Sequence, residues 1–313
     1  MKYALLSIHI EPDAALPAAG EYGKPEECRG FEKAVQQVNN WKTIYGDALR
    51  IQWMIRVDPF VREVYGDQDW PLRRYAAQLE KLLHSGDSLG LHVHTFRFDE
   101  ARHSWHLDLD DQDWVEHCIA SSAEAFEAHF SRRATSIAMG NNFLNQSTVQ
   151  FIRESGFHYD LSPIAGGSVN AQNKVLRATG QVPDFLRMPQ RPYKPHAADF
   201  LQEGAEGNFW ILPVTAIRQQ YMQPLHQKLL HPLPPEQYSK FQLRKGPRGL
   251  GKYLKTCQKE DRTPWCYFEC RTQLFNQQAA TLRAESFIQK LIGRGYRFGT
   301  ADDVIWQLQK ETV

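Results

Sequence analysis

The stretch that decides the fold is Asp87-Ser88-Leu89-Gly90-Leu91-His92-Val93-His94-Thr95-Phe96-Arg97. It follows a helical pattern and predicts a short strand that ends in polar residues. Because successive side chains of a strand point to opposite faces, His92 and His94 share one face. Two imidazoles on one face can bind a single metal ion, since imidazole is a common metal ligand. The same spacing also arises by chance in strands without a metal site, so the other strands must distinguish the two interpretations.

The rest of the chain alternates strand patterns with helical patterns. Apolar residues at helical spacing predict helices around 31–41, 69–86, 113–130, 145–156 and 282–291. Asn145 is the expected cap of the helix at 145–156, and Thr300-x-x-Asp303 resembles a capping box that opens a last helix from 300 onward. Strands are predicted at 3–10, 50–57, 136–139, 157–161, 210–214, 264–270 and 296–298, besides the histidine strand. Strands that alternate with helices form a parallel sheet, and about seven such units predict a closed or nearly closed α/β barrel. We interpret residues 1–313 as a single domain of this kind.

The composition excludes several classes of protein. Hydrophobic residues make up 42% of the 313 residues, which is ordinary for a globular domain, and the net charge of +1 argues against a nucleic-acid binder. No apolar run has membrane-spanning length, and the apolar start is too short for a signal peptide, so a cytoplasmic protein is expected. The five cysteines are scattered and odd in number, which favours reduced thiols over disulfides.

One segment, residues 218–262, is much more basic than the chain as a whole. It is rich in Pro and Gly and contains ten basic residues against three acidic ones. The simpler interpretation is a solvated excursion between two barrel strands. The alternative is a surface that binds an anionic partner.

Polar residues follow the predicted strands at their carboxyl ends, where parallel α/β barrels carry their chemistry. Five consecutive strands share this property, which strengthens the case for a functional site at the two histidines. The residues are His9 and Glu11, then Arg56 and Asp58, then His92, His94 and Arg97, then Asn141 and Asn142, and finally Tyr159 and Asp160.

The order of these pieces resembles the polysaccharide deacetylase superfamily, also known as the NodB-homology or carbohydrate esterase family 4 proteins. The similar blocks are Gly90-Leu91-His92-x-His94, the stretch from Gly140 to Asn145, Glu154-Ser155-Gly156-Phe157-His158-Tyr159-Asp160-Leu161-Ser162, Met188-Pro189-x-x-Pro192-Tyr193-x-Pro195 and Leu212-Pro213-Val214-Thr215. The resemblance implies a distorted (β/α) barrel of about seven parallel strands. It also implies removal of acetyl groups from N-acetylated sugars by a divalent metal, a carboxylate base and a histidine acid.

The chain departs from the family's motifs at several positions. Ser7-Ile8-His9-Ile10 stands where the family has Thr-Phe-Asp-Asp, so Glu11 or Asp13 has to supply the carboxylate. Phe96 occupies the position of the family's second metal histidine, and His94 has to replace it. Ala138 stands in place of an arginine before Gly140, and Cys270-Arg271 stands near the position of the histidine acid.

These observations assign candidate roles. Glu11, His92 and His94 are the expected ligands of a divalent metal, with zinc favoured and another transition metal as the alternative. His9 and Asp13 are the candidate catalytic groups, because an imidazole can act as a general base near neutral pH. Residues that would bind an N-acetylated sugar or a polysaccharide precursor are Arg56, Asp58, Arg97, Asn141, Asn142, Arg187 and Arg191.

Two functions remain open on the sequence alone. The first is a divergent metal-dependent carbohydrate N-deacetylase acting in surface polysaccharide biosynthesis. The second is an inactive barrel that binds a carbohydrate or a partner protein. Retention of Glu11 together with His92 and His94 favours the enzyme, because a barrel kept only for binding has no need of a metal site.

Overall fold

The described part of the protein centres on one parallel β-sheet. A computed structural model describes residues 2–11, 28–166, 185–205, 207–218, 238–240, 250–259 and 264–311. Within these residues the strands are β1 (Lys2–Ile10), β2 (Gln52–Arg56), β3 (Ser88–Val93), β4 (Phe96–Asp99), β5 (Ser104–Leu107), β6 (Ser136–Met139), β7 (Tyr159–Asp160), β8 (Trp210–Ile211), β9 (Ala216–Arg218), β10 (Tyr238–Lys240), β11 (Cys266–Arg271) and β12 (Tyr296–Gly299). Eight of these described strands form the main sheet, and all their pairings are parallel.

The sheet curls until its two edges meet. Seven strands follow the order β11-β1-β2-β3-β6-β7-β8, and β12 pairs beside β1. Just past β8, the backbone N–H of Thr215 donates to the carbonyl of Tyr267 in β11 at 2.9 Å. The backbone N–H of Tyr267 donates in turn to the Thr215 hydroxyl at 2.8 Å. These bonds connect the edge strands, so the predicted distorted (β/α) barrel of about seven parallel strands is confirmed.

Alternation along each strand divides the apolar side chains between two cores. Leu6 and Ile8 of β1 belong to the large cluster between the sheet and the surrounding helices. Leu5 belongs to a second cluster inside the barrel, together with Met54 and Tyr267. The polar residues of β1 lie on this inner face as well, beyond Leu5 in the direction of the strand's carboxyl end.

Helices cover the outer face of the barrel. In the described ranges they are α1 (Arg29–Tyr45), α2 (Pro59–Tyr65), α3 (Trp70–Arg74), α4 (Ala76–His84), α5 (Gln112–Phe130), α6 (Gln146–Glu154), α7 (Leu250–Lys259), α8 (Gln278–Ile292) and α9 (Ala301–Glu311). Short 3-10 turns occupy Gly46–Ala48, Gly140–Asn142 and Thr272–Asn276. None of the described helices combines the length and the apolar composition needed to cross a membrane.

The predicted helix starts are confirmed where the caps can be read from the sequence. Asn145 accepts the backbone N–H of Thr148 at 2.7 Å at the start of α6. Thr300 and Asp303 form a reciprocal capping box before α9: the Asp303 carboxylate accepts the Thr300 N–H at 3.0 Å, and the Thr300 hydroxyl accepts the Asp303 N–H at 3.3 Å.

Two local features were not predicted. The helix expected over 69–86 is divided between α3 and α4 at Tyr75, whose φ of −115° is not helical. The break allows the Tyr75 ring to pack edge-on against Phe31 and Trp70. After the histidine strand, the chain forms an antiparallel hairpin of β4 and β5, in which Phe98 contacts Trp105.

The basic segment 218–262 is more than a solvated excursion, because its described part includes a packed helix. Leu250, Tyr253 and Cys257 of α7 are buried in the main core. The Tyr253 hydroxyl also donates to the carbonyl of Trp265 at 2.6 Å. Strand β10 belongs to the same segment and pairs with β9, whose last residue is Arg218. The other residues of the segment lie outside the described ranges.

The barrel wall is tight at Gly90 of β3, which provides a test of the packing. A Cβ atom at this position would lie 2.7 Å from the backbone oxygen of Ser136 in the neighbouring strand. We expect Gly90→Ala to lower the free energy of unfolding by about 1–3 kcal/mol, the usual cost of overpacking. The measurement is the urea unfolding midpoint.

Gly251→Ala in α7 is the matched control, because a Cβ atom there meets nothing within 4 Å. Its midpoint should stay equal to that of the wild type or rise, since Ala favours helix over Gly by up to about 1 kcal/mol. Equal midpoints for Gly90→Ala and the wild type would show that the wall is not closely packed.

Candidate metal centre

The carboxyl ends of β1 and β3 bring four titratable side chains together inside the barrel. These are His9, Glu11, His92 and His94, which are between 3% and 6% exposed. The ligand atoms of His9, Glu11 and His92 lie within 4.8 Å of one another. His94 adjoins this group through His92. The predicted shared face of His92 and His94 therefore points into the barrel.

His92 lies at the centre of the cluster. Its Nδ1 lies 2.9 Å from the backbone oxygen of Ala138 in β6. A carbonyl can only accept, so Nδ1 carries a proton and Nε2 is the nitrogen that the ring directs into the cluster. This Nε2 lies 3.0 Å from Glu11 Oε1 and 3.0 Å from His94 Nε2. It thus faces a carboxylate and a second imidazole.

A chain of hydrogen bonds fixes the ring of His9. The Tyr267 hydroxyl donates to the carbonyl of Leu161 at 3.1 Å. Its oxygen is then free to accept from the Ser7 hydroxyl at 3.1 Å, and the Ser7 oxygen to accept from His9 Nε2 at 3.3 Å. This polarity leaves the lone pair of His9 on Nδ1. Burial, reinforced by the charge of His92, lowers the pKa of His9 to about 3, so the ring is neutral at pH 7.

Glu11 is ionised although it is buried. Burial opposes the charge, but the hydrogen bond with His92 and the charges of His92 and Arg271 outweigh it and hold the pKa of Glu11 well below its usual range. Arg271 contributes through its Nε, which lies 3.2 Å from Glu11 Oε1. Its side chain is 57% exposed, so it reaches the carboxylate from the solvent side.

His94 is held by a buried ion pair. The Asp58 carboxylate accepts the backbone N–H of His94 at 2.8 Å and the Nε–H of Arg56 at 2.7 Å. The Arg56 guanidinium lies over the rings of Phe60 and Phe96. Burial and the charge of Arg56 keep the pKa of His94 well below its usual range.

Gly140 leaves the space that the His94 ring occupies. A Cβ atom at Gly140 would lie 2.5 Å from two carbons of that ring. The His94 Nδ1 is buried without a hydrogen-bond partner in the described structure. The ring therefore contacts the cluster through Nε2.

The predicted sugar-binding residues have different environments. Arg56 and Asp58 are buried and support His94, as described above. Arg97 is engaged with Asp108 at 3.2 Å and Asp111 at 2.8 Å. Its guanidinium also lies over Trp114.

The remaining predicted residues lie in loops. Asn141 and Asn142 follow β6 with φ angles of 58° and 56°, in the left-handed region that Asn tolerates. Asn142 Nδ2 donates to the carbonyl of Ser162 at 2.8 Å. Arg187 and Arg191 are exposed, and Arg191 pairs with Glu203 at 2.7 Å. Asp13 lies outside the described residues.

Glu269 and Arg271 of β11 are site residues that the sequence analysis missed. Ser7 is opposite Glu269 in the sheet, and His9 is opposite Arg271. Glu269 Oε2 lies 3.5 Å from Asn142 Nδ2, and its charge acts on His9. The same alternation that selects His9 and Glu11 in β1 selects Glu269 in the predicted strand 264–270 and Arg271 directly after its end.

The donor set fits a divalent metal. Four ligands at about 2.0–2.1 Å around a tetrahedral zinc lie about 3.3 Å from one another, close to the 3.0 Å separations at His92 Nε2. The His92 Nδ1 bond to a backbone carbonyl is the usual arrangement around metal-ligating histidines, because it directs the other nitrogen to the metal. Imidazoles beside an ionised carboxylate are the ligand types that zinc accepts.

Comparison with solved structures identifies proteins of the same fold. A Mycobacterium smegmatis protein, assigned as a polysaccharide deacetylase, matches with a TM-score of 0.56 over 100% of this chain and 92% of its own, at 11% identity. A Parabacteroides distasonis protein, assigned as a glycoside hydrolase/deacetylase, matches with a TM-score of 0.54 over 96% of this chain and 69% of its own, at 13% identity. No protein-family model matches the sequence, and no curated protein does. The predicted resemblance is thus confirmed at the level of the fold.

Asp160 lies outside the cluster and has a different electrostatic environment. It is fully buried, and its carboxyl oxygens accept the backbone N–H and the hydroxyl of Ser162, both at 2.9 Å. Burial outweighs these bonds and raises the pKa of Asp160 to about 7. The folded protein therefore holds a proton here that an unfolded chain loses near pH 4.

We expect this proton to make stability pH-dependent. A raised pKa contributes stability below the unfolded value, and this contribution is lost as the pH rises from about 4 to about 7, at about 1.4 kcal/mol per unit. Asp160→Asn cannot titrate, so its free energy of unfolding should vary less between pH 4.5 and 8. Chemical denaturation at several pH values measures the slope. The exposed Asp110→Asn is the control and should follow the wild type; equal slopes in both variants would contradict the assignment.

Proposed function

We propose that this protein is a divergent metal-dependent hydrolase that removes the acetyl group from an N-acetylated sugar or glycan precursor. We further propose that it acts in the cytoplasm during synthesis of a surface polysaccharide. The single observation that supports this function best is the orientation of His92, whose Nε2 faces Glu11 and His94 within the barrel. The fold is shared with proteins assigned as deacetylases.

Glu11 and His92 would hold the metal, with His94 or His9 as the third ligand. His94 Nε2 lies 3.0 Å from His92 Nε2, and His9 has a ligand atom within 4.8 Å of both Glu11 and His92. When bound, a divalent ion lowers the pKa of water and polarises an amide carbonyl. Arg56 and Asp58 act indirectly, because they fix the backbone that carries His94.

His9 is the proposed proton acceptor where it does not bind the metal. The ring is neutral and held by Ser7, and its Nδ1 lone pair can take a proton from a water molecule that attacks the acetyl carbonyl. Glu269 faces the same ring, and its negative charge favours the imidazolium that forms. The proton then passes to the leaving amine of the sugar. Asp13 stays a candidate for the catalytic carboxylate.

Substrate recognition is assigned to the residues around the opening of the cluster. Arg271 reaches Glu11 from solvent, and Asn142 lies next to Glu269. Asn141 precedes Asn142 in the same turn. Binding of the sugar by Arg97, Arg187 and Arg191 stays a prediction.

One observation favours the second candidate function, an inactive barrel that binds a carbohydrate or a partner protein. Glu11 is already paired with a positive charge, because Arg271 Nε lies 3.2 Å from Oε1. This arginine can balance the negative charge of the Glu11 carboxylate without a metal. Metal content therefore distinguishes the two functions.

We expect the purified protein to bind about one divalent ion per chain, with zinc favoured by its imidazole and carboxylate ligands. His92→Ala should abolish this binding, because it removes the nitrogen that both Glu11 and His94 contact. Elemental analysis after dialysis against zinc, with cobalt absorption spectra as a second readout, measures it. The exposed His84→Ala is the control and should keep the ion. A wild type that takes up neither metal would support the binding protein.

His9→Gln separates the two roles proposed for His9. If His9 is the proton acceptor, the variant should retain its metal and lose roughly a hundredfold in turnover on N-acetylated sugars, as expected for removal of a general base. If His9 is a ligand, metal affinity should fall together with turnover. Turnover is measured by acetate release and metal by elemental analysis on the same sample. Full activity with full metal content would remove His9 from both roles.

A further inference from the structure

A basic groove lies on the outside of the barrel, between α7 and the turn that follows α8. Its volume is about 590 Å³. The described residues that line it are Gly251, Lys252, Lys255, Thr256, Lys259 and Arg294. Arg294 lies two residues before the start of β12, whereas the candidate metal centre lies at the carboxyl ends of the strands. The groove is therefore a separate site.

The periodicity of α7 explains why lysines line this groove. Leu250, Tyr253 and Cys257 form the buried stripe that anchors the helix to the core. Lys252, Lys255 and Lys259 repeat the same spacing two positions further along, so they form a parallel stripe exposed to solvent. With a rise of about 1.5 Å per residue, successive lysines are about 4.5 and 6 Å apart along the helix axis.

The charge of the side chains that line the groove indicates which kind of ligand it binds. Four of the six described lining residues are cations and none is acidic. The cations recur along a line and do not converge on one point, which suits a polymer with repeated negative charges better than a single small anion. Binding of this kind depends on charge attraction and is weakened by salt.

Other polyanions fit the groove less well. None of the described lining residues is aromatic, although stacking on aromatic side chains is the usual way to bind single-stranded nucleic acid. None has a large apolar side chain that could insert between lipids, as interfacial helices do.

We propose that this groove binds a linear anionic polysaccharide that carries repeated carboxylate groups. The lysines and Arg294 pair with the carboxylates, and the Thr256 hydroxyl lies among them to bond with sugar hydroxyls. The choice of a polysaccharide over another linear polyanion rests on the proposed function. The groove would keep the protein on a polymer while the barrel acts on its sugars.

The test uses fluorescently labelled polygalacturonate and the full-length protein in low salt. We expect saturable binding by fluorescence anisotropy that weakens as salt is added. The combined variant Lys252→Ala, Lys255→Ala and Lys259→Ala should bind at least tenfold more weakly. Replacement of the same three lysines by Arg should preserve binding, because the charges remain.

Two controls separate this groove from general charge and from the metal centre. Lys33→Ala, Lys81→Ala and Lys310→Ala together remove the same charge from exposed positions elsewhere, and binding should change less than twofold. His92→Ala should bind polygalacturonate like the wild type, so loss of the metal-dependent function leaves this result unchanged. Neutral dextran should not compete.

Several outcomes would overturn the proposal. Absence of binding at low salt would do so directly, and equal weakening in both lysine triples would reduce the effect to net charge. Tighter binding to an oligothymidine or to vesicles of anionic lipid than to polygalacturonate would assign the groove to that ligand.

Discussion

The structure depends on one constraint, the alternation of side chains along the parallel strands of a closed barrel. In β1, the even-numbered residues from Ala4 to Ile10 pack against the outer helices, and the odd-numbered residues point inward. The inner face begins with the apolar Leu5 and continues to Ser7, His9 and Glu11. Because the strands run parallel, their polar inner residues gather at one end. The same sheet thus provides a stable apolar core and a polar centre without conflict between them.

Burial of so many polar groups without hydrogen-bond partners would cost free energy. The partners that they have also determine which atoms of the cluster can bind a ligand. The carbonyl of Ala138 fixes the orientation of the His92 ring, and the bond series from Leu161 through Tyr267 and Ser7 fixes the tautomer of His9. In both rings one nitrogen is used to satisfy the protein, and the other is left for the cluster. The neutral state of His9 follows from its burial, and the ionised state of Glu11 follows from its positively charged neighbours. The cluster therefore combines electron-pair donors with one negative charge, which suits a cation.

Local rules predicted the barrel, most of its strands, the caps at Asn145 and Thr300, and the His92–His94 face, because each depends on residues close in sequence. They could not predict which strands would be neighbours. The pairing of Ser7 with Glu269 and of His9 with Arg271 joins positions far apart in the chain. Both residues were therefore missed, although Glu269 lies in a predicted strand and Arg271 directly follows it. The ring contact of Tyr75 with the distant Phe31, at the junction of α3 and α4, was equally hidden from local rules. In α7, the charge and the Pro and Gly content of the surrounding segment obscured a helical stripe of only three core residues.

Because the chain differs from the deacetylase motifs, the carboxylate of Glu11 has two candidate cations: the side chain of Arg271 and a metal ion. Arg271 Nε and His92 Nε2 both contact Oε1 of Glu11, so an incoming metal would share that oxygen with Arg271 or displace the arginine. The arginine side chain is more than half exposed, and exposed ion pairs contribute little free energy, about 0–1 kcal/mol. The imidazole–carboxylate contact is buried, whereas the arginine can swing into solvent at small cost. Pairing with Arg271 therefore keeps Glu11 compensated when no metal is bound and does not prevent metal binding. In the proposed hydrolase, the same arginine, once released from Glu11, would present its charge on the solvent side of the cluster.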